Sequence, residues 1–133
     1  MPLKLYRRFE MTVNECLAKV KDRKPNAYSD ESLTDRLNEI EARVQREILL
    51  KEPDDIIQYA FPDDRDTELI LPKPYDSAYV YYIKMMIEFD QEEYSAYNNT
   101  MAMFVSQFQD AEKYYNRLNP NHPSIRIRNW MRG

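Results

Sequence analysis

YSAYNNTMAMFVSQFQDAEKYYNRL, residues 94–118, places Tyr94, Tyr97, Met101, Phe104, Phe108, Ala111, Tyr115 and Leu118 at alternating steps of three and four. An α-helix turns once in about 3.6 residues, so that alternation collects these side chains on one face. A helix from about Glu92 to Leu118 follows, roughly 40 Å long at about 1.5 Å per residue. A stripe of that length has to be covered by other helices, and the rest of the chain supplies them. Upstream, Pro72 and Pro74 introduce a helix from about Tyr75 to Phe89, with Ala78, Tyr79, Tyr82, Ile83 and Met86 on one face and a short break near Asp90. Further back, Leu33, Leu37, Ile40, Val44 and Ile48 recur at helical spacing behind a Ser29 or Asp30 cap, and that helix runs to about Leu50 before Pro53 prevents its continuation. Thr12 and Glu15 form a capping box ahead of the stripe Val13, Cys16, Leu17 and Val20, which predicts a short first helix to about residue 22.

Between the second and third helices, IIQYAF and ELILP read as short extended segments around the acidic turn PDDRDT. The expectation is therefore a mainly α chain: a four-helix bundle-like domain over residues 1–118, with a small β-hairpin at about 56–71, and an extended basic C-terminal arm over 119–133. At 133 residues this is one domain, large enough for a single core.

Charge is segregated along the chain. Residues 1–24 hold seven basic and three acidic residues, and from Arg117 onward there are four basic residues and no acid. Between Pro25 and Asn116 lie 8 basic and 20 acidic residues, a net charge of −12 within an overall −4. Basic ends on an acidic body suit head-to-tail association of identical subunits, or docking on an acidic partner, and disfavour nonspecific nucleic-acid binding by the whole chain. The arm itself, SIRIRNWMRG (124–133), alternates Ile125 and Ile127 with Arg126 and Arg128, the period of an extended chain, and adds Trp130, Met131 and Arg132. Burial of its few apolar side chains does not repay the entropy of ordering ten residues. The arm is thus expected to take up order on a partner that adds backbone hydrogen bonds, for instance by strand addition. Ile125, Arg126, Ile127, Arg128, Trp130 and Arg132 are the candidate partner-binding residues.

The only glycine is Gly133, which removes the glycine-rich phosphate loops of P-loop and Rossmann nucleotide sites. No cofactor is expected. Cys16, the lone cysteine, falls among apolar helix positions, and a lone buried thiol points to an intracellular setting. The amino-terminal MPLKLYRRFEM lacks the continuous apolar stretch of a signal peptide, and no apolar run approaches the roughly 20 residues that cross a bilayer. Asp63, Asp64, Asp66 and Glu68 carry hard oxygen ligands but lack the sharp-turn glycine and spacing of a calcium loop, so a solvated turn or a docking surface for basic ends is the better reading. His122, the only histidine, stands between prolines with no nucleophile or base nearby in sequence. No catalytic constellation is recognisable, and the chain is not expected to be an enzyme. Most of the eleven tyrosines sit at core spacing with hydroxyls expected at the surface, and Asn98 or Asn99 is placed to hydrogen-bond across a helix interface.

Lys19, Lys21, Arg23 and Lys24 beside the first two helices suggest an alternative, a small nucleic-acid-binding packaging or regulatory protein with a helix-turn-helix-like amino-terminal region. Against it, the connection is longer than usual, and the second helix is expected to expose Asp35, Glu39, Glu41 and Glu47 towards phosphates.

REILLKEPDDIIQY, LPKPYDSAYVYYI and EYSAYNNTMAMF together resemble a family of small proteins from the head-assembly region of tailed bacteriophages, the head-tail connectors or adaptors. The likeness covers about residues 12–116 and is most specific over Tyr94–Phe104. It implies a helical, non-enzymatic structural subunit forming a homo-oligomeric ring of about a dozen copies. The implied partners are the portal protein and a tail-completion or stopper protein, with DNA passing through the ring without sequence-specific binding and no membrane involved. The implied location is the virion neck, after synthesis in the bacterial host cytoplasm. The helices would form the ring wall and residues 119–133 the gripping arm.

Overall fold

The structure, a computed structural model, describes residues 10–119. Its helices are α1 (Val13–Arg23), α2 (Asp30–Arg43), α3 (Ser77–Asp90) and α4 (Tyr94–Leu118). This is the expected mainly helical, four-helix arrangement. α1 begins on the predicted capping box: Thr12 Oγ1 accepts from Glu15 N at 3.1 Å, and Glu15 Oε1 accepts from Thr12 N at 2.9 Å. Ser29 caps α2 by accepting from Ser32 N. Past Arg43 the second helix widens into a π-helical turn, Val44–Ile48, and ends at Leu50, whose φ is 55°.

α3 is the centre of the molecule. Its most extensive packing is with α4, and it also contacts α2 and α1. The sequence suggested a single apolar face, but Ala78, Tyr79, Val80, Ile83, Met85 and Ile87 are all buried, because neighbours surround the helix on three sides. α4 behaves oppositely. Thr100, Phe104, Phe108 and Ala111 are buried, Tyr97, Met101 and Tyr115 are half-buried, and the ends of the stripe, Tyr94 and Leu118, are 53% and 58% exposed. The helix is longer than the body it packs on. At the shared seam Phe104 contacts Tyr82 and Phe108 with ring centroids 5.5 and 5.6 Å apart, and the Arg43 guanidinium sits 4.8 Å over the Phe108 ring. Lys84 joins the two helices, donating to Glu88 Oε2 at 2.6 Å and to Thr100 Oγ1 at 3.0 Å. Thr100 therefore makes the cross-helix bond expected of Asn98 or Asn99, both of which are exposed.

The β-hairpin at 56–71 does not form. Among the described residues there is no strand, only one isolated antiparallel bridge between Thr12 and Glu68. The two segments find their hydrogen-bond partners elsewhere. Residues 65–69 pair with the start of α1, where Val13 N donates to Thr67 O, Asn14 N to Arg65 O and Leu69 N to Met11 O at 2.8–3.0 Å. Residues 57–59 pair with side chains of α2. A backbone group taken from water needs a partner but not a particular one, so once the helix meets that need the hairpin has no advantage.

Candidate functional site

Asn38, Glu41 and Gln45 follow one another on α2 and its π-helical extension at steps of three and four, beside the apolar stripe. They form a polar stripe turned towards the connecting loop. Asn38 grips the backbone of Tyr59 with both ends of its amide, its Oδ1 accepting from Tyr59 N at 2.8 Å and its Nδ2 donating to Tyr59 O at 2.9 Å. Gln45 does the same to Ile57, accepting at 2.9 Å and donating at 3.0 Å. In an extended chain the N–H and C=O of alternate residues point the same way, so two amides two helical turns apart hold residues 57 and 59 along one edge. At Ala60 the loop closes on itself, since Ala60 N donates to Asp64 Oδ2 and Asp64 N donates to Ala60 O, each at 2.7 Å.

Between the two amides, Glu41 is 0% exposed. Its Oε2 accepts from the Tyr59 hydroxyl at 2.7 Å and from Ile70 N at 3.0 Å, and its Oε1 accepts from the Tyr79 hydroxyl at 2.6 Å. The Tyr79 hydroxyl in turn accepts from Leu71 N at 2.8 Å. Burial pushes the Glu41 carboxyl above the usual carboxylate range, while the two hydroxyls and the amide pull part of the way back. Burial, followed by the Glu41 charge, also raises both tyrosine hydroxyls, so each remains a donor. The expectation that Glu41 lies exposed on the second helix is thus corrected: three donors hold it inside. Tyr79 likewise reverses the expectation of surface hydroxyls.

Each side-chain polar atom of this cage has a hydrogen-bond partner within it or on the loop backbone. Cys16 is buried, and burial, then the Glu41 and Asp76 charges, raise its thiol and keep it protonated. In a cleft of about 350 Å³ between α2 and the end of α3, Arg36 bridges Asp90 and Glu39 and the Tyr28 hydroxyl donates to Asp90. What remains outward is charge. Glu52, Asp54, Asp55, Asp63, Asp66 and Glu68 are exposed along the loop, and Ile57 is 47% exposed among them. In the turn at 63–68 the Asp64 carboxylate accepts from Ala60 N; among the described residues no group of three or more His, Cys, Asp or Glu side chains is placed to hold a metal ion.

The sequence-derived partner residues, Ile125, Arg126, Ile127, Arg128, Trp130 and Arg132, lie outside the described residues, as does His122. The structure brings forward Asn38, Glu41 and Gln45 instead. Their signal was present as a polar stripe at helical spacing beside the apolar one, in a helix that otherwise reads as simply amphipathic. Among the described residues no helix is long and apolar enough to cross a membrane. No known protein family matches the chain, and neither does any curated protein or solved structure.

Proposed function

We propose that this protein is a structural subunit of a bacteriophage head-tail connector: a ring of identical copies in the virion neck that docks on the portal and links capsid to tail, with DNA passing through. The observation that carries the proposal is the segregation of charge. An acidic body, exposing its carboxylates on the loop between α2 and α3, is flanked by basic segments at 1–24 and from Arg117 onward. Opposite charges on separate parts of one chain direct copies to associate head to tail and leave a basic arm for a further partner. The likeness of REILLKEPDDIIQY, LPKPYDSAYVYYI and EYSAYNNTMAMF to connector proteins supports the same reading. In it, Arg126, Arg128 and Arg132 supply charge and Trp130 a single aromatic plug for the partner contact.

The test is mass spectrometry of what co-purifies with the tagged, full-length chain from infected or induced host lysate. Portal or tail-completion protein in stoichiometric amount is the expected result. Nuclease-sensitive DNA complexes without portal would overturn it in favour of the nucleic-acid-binding alternative.

A further inference from the structure

From Lys51 to Asp64 a single residue, Tyr59, is buried. This stretch is held to the helices by the two bonds from Asn38, the two from Gln45, the Tyr59 hydroxyl on Glu41, and, at its first residue, Lys51 N and Nζ on Gln45. Both of its ends are marked. Leu50 precedes it with φ 55°, a left-handed conformation that a side chain with a Cβ disfavours. After it, Arg65 begins the pairing with the start of α1, and Leu69 and Leu71 anchor the following residues in the core at 3% and 0% exposed. A segment whose apolar anchors are buried Tyr59 and half-buried Phe61, and whose bonds to the helices run mostly through side chains, belongs to the low end of local stability, while its flanks belong to the core.

We infer that residues 51–64 are a latch that opens as one unit on an intact helical body, releasing Asn38 and Gln45 and admitting water to Glu41. This stands independently of the functional reading above. Tyr59 is the side chain of the latch hydrogen-bonded to Glu41, so opening exchanges its hydroxyl for solvent at Oε2 while Tyr79 and Ile70 N stay in place. The charged and titratable groups around the carboxyl are Tyr59 and Lys51 on the latch, Tyr79 on α3, Cys16 on α1 and Tyr115 on α4, with Asp64 acting on Tyr59. Because burial raises the carboxyl above its ordinary 4.5, the closed form holds a proton that the hydrated form gives up only between those two values; above the raised value both forms are ionised. Opening therefore grows as pH rises from the ordinary value through the raised one, by at most about tenfold per pH unit for one proton.

Native-state hydrogen exchange by NMR across a pH series, corrected for intrinsic rates, tests this on the full chain. The Ile57 and Tyr59 amides are expected to share one protection factor, at least about 100-fold below that of the α3 core amides around Ile83. That factor should fall as pH rises from 4.5 through the raised value and then level off in the natural chain, and lose this dependence in Glu41→Gln. Protection of Ile57 and Tyr59 equal to that of Ile83 would mean the loop opens only with global unfolding, and would overturn the latch. A natural chain whose loop protection ignores pH would overturn the part given to Glu41.

Discussion

Glu41 shows how one residue can be costly to bury and costlier to replace. A carboxyl with no exposed surface loses hydration, but its three donors would be stranded without it. Glu41→Ala should therefore destabilise the protein by about 3 kcal/mol or more, as buried donors lose their acceptor, with Glu41→Gln costing less; urea denaturation measures both. The pH dependence has a definite sign. A folded carboxyl held above 4.5 contributes stability that is fully present below that value and is lost as pH rises through the raised one. The stability difference between the natural chain and Glu41→Gln should accordingly shift against the natural chain over that window, and a constant difference would contradict it. Phe104 is the apolar counterpart. It is 2% exposed between Tyr82, Phe108 and Arg43, so Phe104→Ala should cost about 3–5 kcal/mol by the same measurement.

At the scale of elements, what local chemistry specifies was readable and what depends on a neighbour was not. The Thr12–Glu15 box is closed within a few residues, so the start of α1 was legible; Thr12→Ala should lower stability by about 1 kcal/mol, detectable as a lower melting temperature. The ends of α4 were legible for the same reason, since a strict three-four repeat admits one period and Pro120 stops it. The segment 56–71 misled because alternating apolar residues flanking an acidic turn state only that the chain is extended, not what it pairs with. Asn38 and Gln45 supplied the partners from across the chain. Asn98 and Asn99 misled in the opposite sense: they lie on α4 outside its buried face, and Lys84 reaches Thr100 instead.

For the whole molecule, the proposed head-to-tail contact rests on the opposition of acidic body and basic ends. If the contact is electrostatic, self-association of the full chain weakens as salt rises from about 0.05 to 0.5 M, because the Debye length shrinks from more than 10 Å to about 4 Å. Native mass spectrometry or sedimentation across that range follows it, and salt-insensitive assembly would place the contact on apolar surface instead. Deleting residues 124–133 should leave helix content and melting temperature unchanged, as read by circular dichroism, while abolishing portal co-purification. Loss of the fold on deletion would show that the arm belongs to the core.

The sequence by itself determined the four helices, the caps that begin two of them, the single core and the opposition of acidic body to basic ends. Each follows from spacing along one stretch of chain or from a sum of charges. Only the tertiary structure decided that α3 is enclosed by its neighbours, that Glu41 and the Tyr79 hydroxyl point inwards, and that amide side chains of α2 replace a second strand. Those outcomes rest on which distant groups share a dehydrated space, where every donor must find an acceptor, and no local pattern records that pairing.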